Sequence, residues 1–482
     1  MTRNLLLYVL VMLAFGAGIG WVLDAGSRLR PPDDAAIVTT PVAGPATATA
    51  QAAPPHRFAA GLLEMLRDNF HQPLSILLFQ VIVVVMAARM LGSLVQRLGQ
   101  PAVVGEMAAG ILLGPSFLGL HFPAVQGLIF PAASLGGLQL LSQVGVILFL
   151  FVVGLDLDLA HLRNQAHAAL LVSHVSIIIP LFLGVALSLF IFPALGPAHG
   201  VFLPFALFIG VAMSITAFPV LVRILEERGM TRSFLGATAI TCAAVGDATA
   251  WCLLALVVAI AGATGWWSAA VTMVLVLLFS LLMLFGIMPL ATRWVERRLQ
   301  DAAPGNGWVA YTLAFVFAAA LITELIGIHA LFGAFLAGVA LSGSEPLRVF
   351  LKERLESFSS VFLLPLFFAF TGLRTQIGLL AGWQSWAMCA AIVGVAIAGK
   401  LGGTLFAARW TGMGWRDSFS LGALMNTRGL VELIVLNLGY DLGILPPRIF
   451  AMMVLMALIT TVMTGPLLDL AEYYRRRETM RR

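Results

Sequence analysis

The stretch AVVGEMAAGILL at residues 102–113 has a counterpart later in the chain, ALFGAFLAGVAL at residues 330–341. A shift of 228 positions aligns two alanines, two glycines and a leucine between them. The first stretch contributes Ala102, Gly105, Ala109, Gly110 and Leu113, and the second contributes Ala330, Gly333, Ala337, Gly338 and Leu341. One short apolar match arises easily by chance, so a second match at a similar shift is needed to indicate a repeat.

The apolar stretch that follows supplies this second match. LFLFVVGLD at residues 148–156 aligns with LFFAFTGLR at residues 366–374 at a shift of 218 positions, and Gly154 then meets Gly372. Two successive matches at nearly equal shifts predict an internal structural repeat.

The composition is that of a membrane protein with many spans. Of 482 residues, 60% are hydrophobic and 11% are charged, whereas soluble domains carry about 25% charged residues. About 20 apolar residues cross the hydrocarbon core, and fourteen such stretches are predicted. They lie near residues 4–26, 73–95, 102–119, 134–155, 167–193, 201–225, 233–262, 266–291, 307–326, 328–343, 356–373, 382–408, 417–440 and 449–470.

The basic residues concentrate in alternate loops, which predicts that both chain ends lie in the cytoplasm. These residues include Arg97, Arg163, Arg228, Arg298, Lys352, Arg409, Arg416 and the tail from Arg475. Because they mark segment ends, the net charge of +5 does not indicate a nucleic-acid partner. With this topology the matched spans cross in opposite directions. The chain is therefore predicted to hold two inverted six-span repeats, 73–262 and 307–470, joined by the span at 266–291, an arrangement of secondary transporters.

The N-terminal part stands outside this repeat. Residues 1–26 form an anchor or a signal peptide, and we expect the anchor because no clear cleavage site follows. Residues 27–70 are rich in Pro, Ala and Thr and are expected to be a disordered external linker. The transport domain is then residues 71–472 with thirteen spans, followed by a basic cytoplasmic tail at 473–482.

Each repeat contains one span with the composition of an interrupted helix. The first carries SITAFPVLVR, in which Pro219 removes a backbone donor and Ser214 and Thr216 can satisfy freed groups. The second carries MNTRGLVELIV, with Asn426 and Thr427 at mid-depth. Interrupted helices at equivalent places in two repeats indicate an ion-binding site.

Asp247 lies in the span that follows the first interruption. It is the only charged residue between Ser233 and Thr292. A carboxylate at this depth costs about 2.5–3.5 kcal/mol on insertion scales, and intramembrane ionisable residues usually belong to functional sites. We therefore expect Asp247 to belong to this ion-binding site.

The chain resembles the monovalent cation:proton antiporter-2 family, in its cation/H+ exchanger branch. The matching segments are QPAVVGEMAAGILLGPS, SQVGVILFLFVVGLDLDL, SITAFPVLVRIL, GDATAWCLLA, IGIHALFGAFLAGVAL and MNTRGLVELIVLNLG, in family order over nearly the whole transport domain. The resemblance implies an all-helical fold with two crossed discontinuous helices, a core domain and a dimerisation domain. It also implies alternating access, a homodimer, no cofactor, no enzymatic activity, a role in pH homeostasis and a bacterial plasma membrane. Two features depart from the family pattern: Gly246 stands where relatives often carry Asp or Asn, and only a short segment follows the last span.

Several polar residues receive roles from this resemblance or from their spacing. With this resemblance, Asp247 is expected to carry the proton and the monovalent cation in turn. Lys400 matches a family lysine that faces this carboxylate, so it pairs with Asp247 or neutralises the crossing helix ends. Arg428 and Glu432 are four residues apart and can form an ion pair on one helix face, either as a structural clamp or in the ion pathway. The hydroxyl and amide groups of the two interruptions either ligate the cation or bond to their own helices. This last group comprises Ser214, Thr216, Asn426 and Thr427.

Other charged residues are interpreted more simply. Glu106 lies near the cytoplasmic end of its span, where helix-end structure is favoured over cation recruitment. Glu324 and His329 lie near the external face, where they are solvated or sense pH. Because Gly246 removes a neighbouring carboxylate, we expect electroneutral one-for-one exchange, although a proton-releasing Lys400 would give two protons per cation.

Two other classes of protein were weighed. An intramembrane aspartyl protease would need a GxGD motif and a second mid-membrane Asp, but Ala244 stands at the first glycine and no second Asp is found. A K+ efflux channel-like system of the same fold remains the alternative. The choice between Na+ and K+ also stays open, because ligand distances cannot be derived from sequence.

Overall fold

The computed structural model describes residues 2–29, 69, 72–156, 166–198, 200–231, 233–262, 266–299 and 304–479. Within these ranges the regular structure is entirely helical. Eleven of the helices described are long and apolar enough to cross a membrane, and two shorter apolar helices, Phe202–Ser214 and Ala330–Leu341, lie among them. The predicted all-helical membrane fold is confirmed. The linker predicted at 27–70 lies almost wholly outside the described residues, as do residues 480–482 of the predicted tail.

In the part of the chain that the structure describes, the first half contains eight main helices and the second half eleven. They are α1 (Thr2–Gly26), α2 (Pro73–Arg97), α3 (Ala102–Leu113), α4 (Leu135–Leu155), α5 (Ala166–Leu195), α6 (Phe202–Ser214), α7 (Phe218–Glu227) and α8 (Phe234–Gly262). Two short helices, Leu118–His121 and Pro123–Ile129, and a 3-10 turn, Ala132–Ser134, connect α3 to α4.

The helices of the second half follow these in chain order. They are α9 (Trp266–Leu281), α10 (Met288–Leu299), α11 (Asn306–Ile326), α12 (Ala330–Leu341), α13 (Glu345–Phe358), α14 (Leu364–Arg374), α15 (Trp383–Ile397), α16 (Gly403–Trp410), α17 (Trp415–Met425), α18 (Leu430–Asp441) and α19 (Pro447–Thr479). Turns of π-helix, Leu282–Ile287, Ser359–Leu363 and Ala398–Gly402, join α9 to α10, α13 to α14 and α15 to α16.

The repeat predicted from the glycines corresponds to two equivalent helix crossings. A Cβ atom added to Gly110 of α3 would lie 2.0 Å from the carbonyl oxygen of Ala369 in α14, and one added to Gly338 of α12 would lie 2.1 Å from that of Phe151 in α4. The shifts of 228 and 218 relate both members of the first contact to those of the second. Only glycine permits so close an approach of two backbones.

The helices pack as two bundles. In the first bundle α3 packs against α2 and α14, and α4 against α12, α13 and α14. In the second bundle α5, α6, α7 and α8 pack with α15, α16, α17, α18 and α19. The packing between the bundles includes α14 against α18 and α3 against α19. Each repeat therefore contributes helices to both bundles.

Helix α1 packs against the second bundle, on the outer side of α5. The rings of Phe15 and Phe182 stack edge to face at 5.3 Å between centroids, and those of Tyr8 and His174 at 5.7 Å. A Cβ atom on Gly18 would lie 2.7 Å from the Phe182 ring, so this glycine lets the helices approach closely.

Candidate ion-binding site

The two interrupted helices meet at their interruptions. Helix α6 ends at Ser214 and α7 begins at Phe218, while α17 ends at Met425 and α18 begins at Leu430. The backbone N–H of Ala217 donates to the carbonyl oxygen of Thr427 at 3.0 Å. Four half-helices thus end at one place inside the second bundle.

Local sequence explains where each helix stops. Pro219 is the second residue of α7, a position where the absent N–H has no intrahelical partner to lose, and Ile215 before it is extended. Gly429 has φ +156° and ψ −124°, a backbone conformation open essentially to glycine alone. A side chain there would also crowd Val220.

Two cations cap the carboxyl end of α6. The Nζ atom of Lys400 donates to the carbonyl oxygens of Ser214 at 2.5 Å and Ser176 at 3.0 Å. The guanidinium of Arg428 donates to the carbonyl oxygens of Ala212 at 2.9 Å and Met213 at 2.6 Å. The last carbonyls of a helix lack intrahelical partners and form its negative pole, so both side chains compensate that pole.

Lys400 itself lies in the π-helical turn Ala398–Gly402. Such turns interrupt regular helix geometry and are frequent at functional sites. The interpretation in which Lys400 neutralises the crossing helix ends agrees with its two carbonyl partners. It forms no hydrogen bond with Asp247, although the two charges interact electrostatically.

Arg428 and Glu432 form the ion pair that their spacing predicts. The Nη1 atom of Arg428 lies 3.3 Å from Oε1 of Glu432, and both side chains are fully buried. Glu432 lies in the first turn of α18, at the positive pole of that half-helix. The pair therefore links the negative pole of α6 to the positive pole of α18.

The carboxyl end of α17 is held by hydroxyl groups. Thr216 Oγ1 donates to the carbonyl oxygen of Met425 at 3.0 Å, and Thr464 Oγ1 to that of Ala423 at 3.5 Å. Thr461 donates to the carbonyl oxygen of Arg428 at 2.7 Å. Thr427, one of the predicted site residues, bonds Thr464 through its own hydroxyl at 3.4 Å.

Asp247 and Asn426 are two buried residues whose side-chain polar atoms all lack hydrogen-bond partners among the described residues. Asp247 is 3% exposed, and neither of its carboxylate oxygens has a hydrogen-bond partner among the described residues. Asn426 follows α17 directly, is fully buried, and also lacks partners for both side-chain polar atoms. Helix α8, which carries Asp247, packs against α6, α7 and α17. Burying an unpaired carboxylate is costly, so this side chain is suited to binding a proton or a cation.

Gly246 borders open space beside this carboxylate. A Cβ atom added there would meet a single group within 4 Å, the hydroxyl of Ser173 at 3.7 Å. The position therefore has room for a side chain, and the glycine is not required by packing.

A cavity of about 400 Å³ lies between the two bundles and reaches the first interruption. Its lining includes Glu106, Asp156, Lys352 and Glu356 at one end and Phe218 at the interruption. Lys352 pairs with Asp156 at 2.7 Å. Lys352 belongs to a segment predicted to be cytoplasmic, and with that topology the cavity would lead from the cytoplasmic face toward the site.

Glu324 and His329 both cap α12. The carboxylate of Glu324 accepts from the Ala330 N–H at 2.8 Å, and the Nδ1 atom of His329 lies 3.4 Å from the Leu331 nitrogen. These contacts fit a structural role at a helix N-terminus.

Sequence reasoning missed Ser176, Thr461 and Thr464 as partners of the interruptions. The spacing TTVMT at residues 460–464 places hydroxyls on one face of α19, which was the available signal for the threonines. Ser176 acts through its backbone carbonyl, which no sequence pattern reveals.

Comparison with known proteins agrees with this architecture. Residues 79–470 match the family described as sodium/hydrogen exchanger, transmembrane. The chain is 43% identical over 399 residues to the Na(+)/H(+) antiporter NhaS4 of Synechocystis sp., covering 82% of this chain and 96% of the relative. It is 33% identical over 410 residues to the K(+)/H(+) antiporter 1 of Saccharomyces cerevisiae, covering 83% of this chain and 47% of the relative.

A plant relative and a solved structure give the same result. Cation/H(+) antiporter 17 of Arabidopsis thaliana is 41% identical over 399 residues, covering 82% of this chain and 48% of that protein. The chain thus spans about half the length of the plant and yeast relatives. The sodium proton antiporter MjNhaP1 of Methanocaldococcus jannaschii has the same fold, with a TM-score of 0.56 at 12% identity over 84% of this chain and 98% of that one. The chain is a multi-pass membrane protein that belongs to the sodium/hydrogen exchanger family, a family of transporters and not of enzymes.

Proposed function

We propose that this chain exchanges a monovalent cation, Na+ or K+, for protons by alternating access, with Asp247 as the carrier of both ions. The observation that carries the proposal is the buried carboxylate of Asp247, which has no hydrogen-bond partner among the described residues and lies on a helix packed against the crossed interruptions. Such a group is neutralised by a proton or by a cation, and one carboxylate cannot hold both.

The neighbouring groups support cation binding by oxygen. Thr216 uses its hydroxyl proton toward Met425, and Ser214 donates to the carbonyl oxygen of Val211 at 2.8 Å. Their oxygen lone pairs, together with the amide oxygen of Asn426, are the ligand type that hard cations prefer. Arg428 and Glu432 clamp the half-helices and stay outside the ligand set.

The position of Lys400 supports electroneutral exchange. Its ammonium donates to two carbonyl oxygens at a helix end in this conformation, and such contacts stabilise the charged form. Asp247 then alternates between one proton and one cation, and the net charge moved per cycle is zero. This stoichiometry follows the absence of a second carboxylate at Gly246.

Relatives leave the cation open between Na+ and K+, since one is named a Na(+)/H(+) antiporter and another a K(+)/H(+) antiporter. The cavity on the predicted cytoplasmic side supports access of the cation from that face. We further propose that the protein lies in the bacterial plasma membrane as a homodimer, as the family resemblance implies, with its C-terminus in the cytoplasm, as the distribution of basic residues favours.

The test is ion exchange by purified protein in liposomes with a trapped pH-sensitive dye, using Na+, K+, Rb+ and Li+ in turn. Wild type is expected to release protons when one of these ions is added, and Asp247→Asn to insert normally and show no exchange. The matched control is Asp469→Asn, which removes an exposed carboxylate paired with Arg228 and is expected to exchange at the wild-type rate. Exchange by Asp247→Asn would refute the carrier assignment, and cation flux without proton movement would support a K+ channel-like system instead.

A further inference from the structure

The gap between the two bundles is open at one end and closed at the other. On the side of Lys352 it holds a cavity of about 400 Å³. At the opposite end, around Ser142, Arg374 and Asp441, the cavity volume is only about 30 Å³, and this narrow end is called the closed end here. The closed end is the one that the topology prediction places outside.

A dense polar contact occupies this closed end. Arg374, the last residue of α14, forms an ion pair with Asp441, the last residue of α18, and donates to the side-chain oxygen of Asn437 at 3.1 Å. Asn437 in turn donates to Thr371 Oγ1 of α14 at 2.8 Å. Every one of these side-chain contacts joins α14 of the first bundle to α18 of the second.

Aromatic rings complete the contact. The guanidinium of Arg374 lies over the ring of Phe370 at 5.0 Å and over that of Tyr440 at 4.8 Å. The side chains of Arg374 and Asp441 retain only 18% and 28% of their exposure, so the pair is held by hydrogen bonds and rings and is partly shielded from water. An ion pair in such a setting is stronger and more specific in geometry than one on an open surface.

The other ion pairs described nearby do not join the bundles. Lys352 and Asp156 connect α13 to the end of α4 within the first bundle, and Arg228 and Asp469 connect the end of α7 to α19 within the second. The Arg374 contact is therefore placed to oppose relative movement of the bundles.

We propose that Arg374, Asp441, Asn437 and Thr371 form a latch that holds the two bundles together at the face opposite the large cavity and must open in every transport cycle. This inference rests on the proposed alternating access. The half-helix α18 belongs to the crossed interruptions. Opening of the latch therefore frees α18, together with the site beside it in the second bundle, to shift against α14. The latch thus sets the fraction of molecules that rest in the conformation with the large cavity open.

The first experiment measures access to the closed end. Ser142, which lines the small space beside the latch, is replaced by Cys in a chain whose three cysteines, Cys242, Cys252 and Cys389, are changed to Ala. A membrane-impermeant maleimide is then added to right-side-out vesicles. Asp441→Asn is expected to speed labelling by about tenfold or more, since loss of the latch populates the opened state, and Asp469→Asn is expected to leave labelling unchanged. Equal labelling rates with and without Asp441 would overturn the latch.

The second experiment fastens the latch covalently. Cysteines at Thr371 and Asn437, whose side chains are in contact, are joined in the same background by a short bis-methanethiosulfonate reagent, which reduction releases. Cross-linked protein is expected to lose exchange and to recover it on reduction, whereas cysteines at Gln80 and Ser134, which touch within the first bundle at 2.6 Å, are expected to cross-link without this loss. Continued exchange by protein cross-linked at the latch would overturn the proposal. If wild type shows no exchange at all, the proposed function fails, while the labelling result still decides the latch.

Discussion

The two helix interruptions occupy equivalent places in the repeat, yet they are stabilised by different chemistry. The carboxyl end of α6 is capped by Lys400 and Arg428, and the carboxyl end of α17 by the hydroxyls of threonines. Both ends are negative poles, but fixed positive charge compensates the first alone. A repeated backbone therefore does not impose repeated electrostatics. We propose that the other negative pole, beside the Asn426 side chain that lacks hydrogen-bond partners, attracts the cation.

Among the substitutions that test this difference between the two interruptions, removal of Arg428 is expected to have the largest effect on folding. In Arg428→Met the buried Glu432 loses its partner, and the carbonyl oxygens of Ala212 and Met213 lose their donors. Breaking a buried ion pair in this way costs about 3–5 kcal/mol. We expect little folded protein, measured by thermal unfolding in detergent and by size-exclusion chromatography.

The double variant Arg428→Met with Glu432→Met is the matched control for that loss. It removes the unpaired carboxylate together with its partner, and replacement of a whole buried pair is often tolerated. Recovery of folding without recovery of exchange is expected. If Arg428→Met alone folds as well as wild type, the clamp is not what holds the first interruption.

Lys400→Gln is expected to have a smaller effect on stability and to test the stoichiometry. The amide can still donate one hydrogen bond, so the loss is about 1–3 kcal/mol for the weakened contact to buried carbonyls. If Lys400 is a fixed cap, the residual exchange stays independent of an imposed membrane voltage, as in wild type. Liposomes clamped by K+ and valinomycin, with Na+ as the exchanged ion, measure this. If wild-type exchange instead rises steeply with voltage and exchange by Lys400→Gln does not, Lys400 is a second proton carrier.

Much of the fold could be predicted from sequence, because lipid permits few solutions for the backbone. Hydropathy located the spans, and Gly110 and Gly338 indicated the internal repeat, which the structure contains as two equivalent close helix contacts. Pro219 and Gly429 likewise marked the places where two helices stop.

The partners of the charged groups could not be predicted in the same way. Lys400 binds the backbone carbonyls of Ser176 and Ser214, and every residue type has a carbonyl, so no sequence pattern selects these two. Arg374 and Asp441 meet across 67 positions of chain, and only the packing of α14 on α18 brings them together. The helix α1, separate in sequence, packs on α5, which also provides a partner for Lys400.

Gly429→Ala tests the second interruption through its backbone. The residue has a positive φ and a Cβ atom would lie 3.0 Å from Val220, so alanine is expected to cost about 1–3 kcal/mol in strain. Because the hydroxyl caps of α17 remain, we expect a folded protein with lower exchange and a lower melting temperature. The control Gly443→Ala also places alanine at positive φ, but no group lies within 4 Å of its Cβ position, and it is expected to keep exchange. Equal exchange by Gly429→Ala and wild type would show that this conformation is not needed for transport.

The smallest effects are expected from Pro219→Ala and Thr216→Ala. Which of the two variants exchanges more slowly distinguishes two explanations of the first interruption. Thr216→Ala removes the hydrogen bond to Met425, worth about 1 kcal/mol. Pro219→Ala adds an N–H at the first turn of α7, where no intrahelical acceptor exists, so it is expected to change stability by no more than about 0.5 kcal/mol. If the charged caps Lys400 and Arg428 and the hydrogen bond from Ala217 to Thr427 maintain the interruption between α6 and α7, Pro219→Ala is expected to exchange at nearly the wild-type rate. The double variant is then expected to exchange no more slowly than Thr216→Ala alone. Exchange as low as that of Asp247→Asn in the proline variant would mean that proline, and not the capping charges, keeps α6 and α7 from closing into one helix.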